Sequence, residues 1–451
     1  MKGLNDIRRI FFAGIGGIGM SALARYFKHV GVEVFGYDKT RTALTQQLEA
    51  EGMHIHYEDD INLLPEKIDL VVYTPAIPKD HKELNHLRET GHQVLKRSEV
   101  LEILTADKFT IAVAGSHGKT TVTSMIAHIL NHSGYGCTAF LGGIALNYHS
   151  NFIAGNKDVV VVEADEFDRS FLRLTPSLAV ITAVDTDHLD IYGSREKIEE
   201  AFLEFTQKVK PAGEIIAHKH VSIIKRIEQR TVSTYGLGYA DYHDTGIMIK
   251  QGAYHFEVES HHGLVADLEL HMGGRHNVEN AVAAITVALK LGIAKEKIRE
   301  AIASFKGIHR RFEYVVKSPE LVFIDDYAHH PEEIRAFISS VRELYPEKKL
   351  TAVFQPHLFS RTNDLYAEFA KALELADEVI LLDIYPAREL PMAGVTSALI
   401  LNEMKIAEKS IIPYYILAEE LGRKRPEVLL TIGAGDIDAL VNPIKEALTK
   451  A

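Results

Sequence analysis

Short apolar runs alternate with stretches of helical periodicity along most of the chain. Ile10–Ala13, Val32–Gly36 and Leu70–Thr74 read as buried strands, and Met20–His29 as a helix between the first two. The pattern restarts at Phe109–Ala114, a buried-strand run that leads into the helix Thr120–His132, with further strands at Val159–Glu163 and Leu178–Ala183. A third series comprises the strand Leu321–Ile324, the helix Pro331–Leu344, the strand Leu350–Phe354, the helix Leu365–Leu375, and strands at Val379–Leu382 and Val428–Ile432. Strands alternating with helices predict parallel sheets covered by helices. Between Gly246 and Met272 the texture changes to extended runs separated by glycine-containing turns, as in an antiparallel meander, and a helix at Asn277–Leu291 follows.

The length of 451 residues suits about three domains at ~150 residues each. The expected seams lie near 105 and 306, dividing the chain into 1–105, 106–305 and 306–451. Apolar residues make up 46% and charged residues 25%, which excludes a disordered or fibrous chain. Cys137 is the only cysteine, so no internal disulfide can form. With 62 acidic against 50 basic residues the net charge is −12, which argues against nucleic acid as a partner. The apolar run after Met1–Ile10 is broken by Gly14, Gly16, Gly17 and Gly19, and no later run reaches the ~20 residues of a membrane span. The expected setting is cytoplasmic, without a membrane partner.

Gly14-Ile-Gly16-Gly17-Ile-Gly19 follows a strand and opens a helix. Glycines there permit a tight turn and close backbone approach, and the helix start offers free N–H groups to a phosphate. Asp38, at the end of the next strand, is placed to accept hydrogen bonds from a ribose. The motif fits a dinucleotide such as NAD and equally a UDP-sugar. Gly115-Ser116-His117-Gly118-Lys119-Thr120-Thr121 is a second phosphate loop, again between strand and helix. Val113 stands where the longer form of this loop has its first glycine. Lys119 can offset phosphate charge and the Thr120 hydroxyl can ligate Mg²⁺. A dehydrogenase has no use for the second loop and a simple nucleotide switch none for the first, so the pair suggests an enzyme that holds a nucleotide-bearing substrate and consumes ATP.

Carboxylates collect at the ends of two later strands, in Glu163-Ala-Asp165-Glu166-Phe-Asp168 and Asp185-Thr-Asp187-His188-Leu-Asp190. Hard oxygen donors there suit Mg²⁺, and solvated acidic loops are the plain alternative. In the third series, His309-Arg310-Arg311-Phe-Glu313 and Asp325-Asp326-Tyr327-Ala-His329-His330-Pro331 place cations and histidines near a strand end and a helix start. Gln355-Pro-His357-Leu358-Phe-Ser360-Arg361 again ends a strand, where α/β ligand sites gather.

Taken in order from Gly14 through His276-Asn277-Val-Glu-Asn280 to Arg361, these segments resemble the Mur ligase family of peptidoglycan synthesis, in its alanine-adding branch. The resemblance implies a Rossmann-like N-terminal domain, a central P-loop α/β domain with an antiparallel β extension, and a Rossmann-like C-terminal domain. The implied reaction joins L-alanine to the lactyl carboxylate of UDP-N-acetylmuramate through an acyl phosphate, with ATP and Mg²⁺. The implied UDP-sugar residues are Gly14, Gly16, Gly17, Gly19, Met20, Ser21 and Asp38. ATP would meet Gly115, Ser116, His117, Gly118, Lys119, Thr120 and Thr121, with His276, Asn277 and Asn280 at the adenine side. Thr120, Glu163 and His188 would hold the metal. Lys119, Arg311, Asp326 and His329 would be catalytic, His329 as the base, while Tyr327, His329 and Arg361 would bind the amino acid. Two departures from the family pattern stand out. Phe202 and Leu203 occupy the places of a carbamylated lysine, and Leu358 that of an arginine common in alanine-adding relatives. A recycling ligase that attaches a murein peptide would share nearly all these motifs, and an NAD-dependent oxidoreductase is the distant alternative.

Overall fold

A computed structural model describes residues 4–155, 158–167, 169–185, 189–387 and 389–450. Its first sheet holds β1 (Arg9–Ala13), β2 (Glu33–Tyr37), β3 (His54–His56), β4 (Leu70–Tyr73) and β5 (Val94–Lys96) in the order β3-β2-β1-β4-β5. All its pairings are parallel. The connecting helices are α1 (Ile18–His29), α2 (Ala43–Ala50), α3 (Lys82–Glu89) and α4 (Arg97–Thr105). Chain order reverses beside β1, and the crevice at such a point is where α/β sheets take ligands. The glycine turn occupies it.

The second sheet runs β15-β14-β13-β12-β11-β10-β6-β9-β7-β8. Its strands are β6 (Phe109–Ala114), β7 (Thr138–Ala145), β8 (Ser150–Ile153), β9 (Val159–Glu163), β10 (Leu178–Ile181), β11 (Glu214–His218), β12 (Thr231–Gly236), β13 (Tyr242–Lys250), β14 (Ala253–Ser260) and β15 (Val265–Leu270). β6 is central and pairs in parallel with β9 and β10, so the phosphate loop again leaves a strand at a reversal point. Helices α5 (Lys119–His132), α6 (Leu189–Tyr192), α7 (Arg195–Gln207), α8 (Arg275–Lys290) and α9 (Lys295–Ser304) complete this region. The expected meander is present. Only Gln251 and Gly252 join β13 to β14, both at positive φ (53° and 68°), which is the left-handed two-residue turn that closes an antiparallel hairpin.

The third sheet has the order β16-β17-β21-β18-β19-β20, from β16 (Glu313–Lys317), β17 (Val322–Asp326), β18 (Leu350–Phe354), β19 (Glu378–Leu381), β20 (Glu408–Ile411) and β21 (Val428–Ile432). Its helices are α10 (Pro331–Leu344), α11 (Phe359–Leu373), α12 (Ala398–Glu403), α13 (Leu417–Lys424) and α14 (Val441–Thr449). Only the edge strand β16 is antiparallel. α10 starts at Pro331 because proline needs no N–H there and Glu333 turns back to accept the His330 amide at 3.1 Å. Residues 1–246, 256–268 and 279–305 form one compact unit, and 247–255, 269–278 and 306–451 a second. Among the described residues no helix is long and apolar enough to cross a membrane.

Three differences from the expected elements have physical causes. The hairpin β7–β8 escapes the pattern because Gly142 and Gly143 interrupt β7 and its residues do not alternate. β13 extends back to Tyr242 through a polar, half-exposed stretch. α11 begins six residues before the expected start, directly after Leu358, whose φ is 72°.

Within the first unit, one apolar core joins the first two sheets. Tyr26 of α1 packs on Phe140 of β7 and Phe152 of β8, with ring centroids 5.7 and 6.0 Å apart. Beside these rings lies the fully buried Asn151. Its amide donates to the Ile18 carbonyl at 2.6 Å and the Ser21 hydroxyl at 2.8 Å, and its carbonyl oxygen accepts from Arg25, which also pairs with Glu51. Cys137 is buried at the start of the hairpin, within reach of the Asn131 amide, and burial pushes its thiol up to about 12. Asn151→Ala leaves the buried Arg25 guanidinium and the buried Ser21 hydroxyl each short of a partner. The expected cost is roughly 2–4 kcal/mol, read as a lowered urea midpoint with an unchanged denaturant slope.

Candidate functional site

The phosphate loop is shaped by close backbone approaches. Gly115 has φ 136° and Gly118 φ 81°, and a side chain at Gly118 would meet Asn280 Oδ1 at 2.7 Å. Ser116 ties the loop to the end of β10 by accepting the Asp185 amide at 2.9 Å. Lys119 Nζ donates to its own loop, at the Gly115 carbonyl (2.7 Å), and to Glu166 Oε1 (2.8 Å). The ammonium is thus held over the loop against an anion that incoming phosphate oxygens can replace. Thr120 Oγ1 lies 3.1 and 3.0 Å from the two carboxylate oxygens of Glu163. A hydroxyl and a carboxylate so placed are hard oxygen donors of the kind a divalent cation such as Mg²⁺ takes. Thr121 is buried in α5 and His117 is exposed. Asp168, Asp187 and His188 lie outside the described residues.

The glycine turn and Glu163 open onto one cavity of about 270 Å³. Gly17, Gly19 and Met20 line one side of it, and Gly142, Glu163 and Asp165 another. Gly14, Gly16, Ser21 and Asp38 are not part of that lining; they build the turn. A side chain at Gly14 would press on Thr74 at 2.7 Å. Asp38 accepts the Gly16 amide at 2.8 Å and the Thr40 amide at 3.2 Å, and Ser21 is engaged by Asn151. Gly142 has a reason of its own, since any Cβ there would lie 2.0 Å from Glu163 Oε2.

Arg97 also lines the cavity and is absent from the sequence-derived set. It opens α4 after β5, 4.0 Å from Asp165, and its guanidinium would meet a Cβ at Gly19 at 2.7 Å. A lone arginine carries no motif, but its place at the carboxyl end of a parallel strand is the signal that could have found it. Phe202 is fully buried against Phe171, in a position with no access to a nucleotide site.

The second unit gathers the remaining candidates. Of the paired arginines, Arg310 is buried, 3.4 Å from Asp325 and 3.5 Å from Asp438, with its guanidinium over the Tyr327 ring. Arg311 is exposed, which leaves its charge available to a ligand. Asp326 accepts the Phe312 amide at 2.7 Å and the Ala328 amide at 2.8 Å, holding the arginine turn to the Tyr327 loop. Burial raises its carboxyl to about 6 despite those donors. His329 Nδ1 lies 3.0 Å from the Tyr327 carbonyl, an acceptor only, so that nitrogen carries the proton and Nε2 is left to accept one. The His329 ring contacts Tyr327 and His357, at 5.3 and 6.4 Å between centroids. His357 is held below its ordinary pKa by burial and by the neighbouring Arg361 and His329. Arg361 Nη1 and His357 Nδ1 are buried polar atoms with no partner among the described residues. On α8, Asn277 donates to the Gly273 carbonyl at 2.6 Å, and His276 is exposed.

Models of the Mur ligase family match three successive segments. These are the catalytic domain over residues 9–109, the middle domain over 113–288 and the glutamate ligase domain over 310–425. The chain is 48% identical to the UDP-N-acetylmuramate--L-alanine ligase of Flavobacterium johnsoniae, over 99% of both chains. It is 47% identical to that of Porphyromonas gingivalis, over 98% of this chain and 99% of the relative. The crystal structure of a UDP-N-acetylmuramate-alanine ligase from Thermotoga maritima is similar with a TM-score of 0.83 at 30% identity, covering 97% of this chain and 98% of the other. A murein peptide ligase from Psychrobacter arcticus shares the fold at 22% identity and a TM-score of 0.68, over 98% and 99% of the two chains.

The raised Asp326 pKa has a direction in pH. The folded state binds its proton more tightly than the unfolded chain, so the group's stabilisation is full below about pH 4 and is lost as pH rises through about 6. Denaturation from pH 4 to 7 should show native protein losing up to about 3 kcal/mol relative to Asp326→Asn, with no further divergence above pH 7.

Proposed function

Because the chain belongs to the Mur ligase family, we propose that it ligates L-alanine to the lactyl carboxylate of UDP-N-acetylmuramate, with cleavage of ATP to ADP and phosphate, in peptidoglycan synthesis. The observation that carries this proposal is the cavity shared by the glycine turn and Glu163, because a carboxylate to be phosphorylated has to reach from a sugar-nucleotide site to a phosphate-loop site. On this proposal, segments 1–105, 106–305 and 306–451 serve the nucleotide sugar, ATP and the amino acid. A nucleotide sugar and ATP as substrates imply work in the cytoplasm.

The uncharged-amine and carboxylate chemistry asks little nucleophilicity of the protein. A lactyl carboxylate oxygen attacks the γ-phosphorus, forming the acyl phosphate and releasing ADP. The alanine nitrogen then attacks the acyl carbon, and phosphate leaves from the tetrahedral intermediate. Lys119 exchanges Glu166 for phosphate oxygens, and Arg311, exposed and unencumbered by the buried pairs of Arg310, stabilises the transferring group. Thr120, Glu163 and His188 would hold Mg²⁺, which would offset phosphate charge when bound. Gly115–Thr121 cradle the phosphates, with His276, Asn277 and Asn280 toward the adenine. Gly17, Gly19, Met20 and Arg97 face the UDP-sugar, on a turn built by Gly14, Gly16, Ser21 and Asp38. His329 Nε2 takes the amine proton. Arg361, whose Nη1 has no partner among the described residues, meets the alanine carboxylate together with Tyr327, in place of the arginine that Leu358 replaces.

Phosphate release should require ATP, UDP-N-acetylmuramate and L-alanine together, measured by coupled assay. Turnover with a murein tripeptide and none with alanine would overturn the proposed acceptor. Two variants should separate the loops. Lys119→Ala abolishes ligation yet keeps UDP-sugar binding by calorimetry, whereas Arg97→Ala weakens UDP-sugar binding about 10–100-fold with ATP affinity unchanged.

A further inference from the structure

The first sheet carries a second convergence of ligand-type side chains, away from the phosphate loop. Asp59 follows β3, and His81 and Glu83 lie at the start of α3. One donor atom from each lies within 4.8 Å of the other two, the only such group among the described residues. Glu83 is fully buried and His81 is 4% exposed, where polar atoms are costly unless paired. Pairing there is incomplete. Glu83 Oε1 is met by His56 Nε2 at 2.7 Å and the Asp60 amide at 3.0 Å, and Asp59 accepts the Lys82 and Glu83 amides at 2.9 and 3.0 Å. Glu83 Oε2 and His81 Nε2 have no partner among the described residues.

His81 Nδ1 faces two groups with opposite demands. It lies 3.3 Å from Asp59 Oδ1, which asks for a proton on the ring nitrogen, and 3.3 Å from the Leu84 amide, which asks for a lone pair. That distance is long for a charge-assisted hydrogen bond, whose usual length is about 2.7–2.9 Å. Two ligands each ~2.0–2.1 Å from a tetrahedral zinc ion stand about 3.3 Å apart.

We propose that Asp59, His81 and Glu83 form a binding site for a divalent transition metal of the zinc class. A fully buried carboxylate with an imidazole and a second carboxylate favours such an ion over Mg²⁺ or Ca²⁺, which prefer oxygen donors and, for Mg²⁺, retained water. Three protein ligands leave a fourth position for water. His56 orients Glu83 as an outer partner, and the Tyr37 ring, with its centroid 4.5 Å from that of His81, closes one side.

The test uses the full chain, stripped with chelator and kept in excess Mg²⁺ to saturate the phosphate loop. Zinc chloride is titrated by calorimetry and cobalt by visible absorption. The expected result is one equivalent per chain, tetrahedral cobalt bands, and a thermal transition raised by zinc. Asp59→Asn and His81→Asn should each weaken zinc at least about tenfold. Asparagine is itself a good helix cap, so His81→Asn keeps the start of α3 while removing the imidazole. Absence of one-per-chain binding in the native protein would overturn the site. So would binding of undiminished affinity in either folded variant, which would assign the metal to other histidines.

Discussion

The spacing between the two phosphate-type turns is set by the packing of α1 on the hairpin β7–β8. Tyr26, Phe140 and Phe152 supply its apolar surface, and Asn151 fixes its register through bonds to Ile18, Ser21 and Arg25. Aromatic burial alone would allow the helix to slide, because dispersion is indifferent to small shifts. A buried amide with directional partners is not, since displacement would leave it unpaired. The cavity between Gly17–Met20 and Glu163 keeps its width for that reason.

Within each unit, charge is divided by burial. Lys119 and Glu166 are enclosed and matched, as are Arg310 and Asp325 in the second unit. Enclosed pairs of this kind fix geometry, because separating one would strand a desolvated charge. Arg311 and Tyr327 are exposed and carry no such duty. Adjacent residues of the same type thus divide the work: Arg310 holds the loop and Arg311 faces outward.

Much of this arrangement is legible from the chain. Phe109–Ala114 and Pro331–Leu344 have the boundaries their patterns predict, because a short apolar run bounded by a loop and a proline-led amphipathic helix each have one dominant solution. The phosphate loop and Thr120 with Glu163 come together as the motif order implies. What the chain hides depends on contacts between distant residues. β7 carries glycines that look like breakers until Glu163 is seen against Gly142. Arg97 and Asn151 belong to no motif, and only folding brings them to Gly19 and Ser21. Asp38, expected at a ribose, also accepts the Gly16 amide of the turn and the Thr40 amide, pairings that composition does not reveal.

Cys137 gives the central sheet a built-in reporter. As the chain's only thiol, buried at the root of β7 and protonated at any physiological pH, it is shielded from alkylating reagents while the hairpin stays docked. Labelling of the native protein therefore proceeds through transient opening of that hairpin, and its rate counts those openings in a molecule that needs no engineered probe.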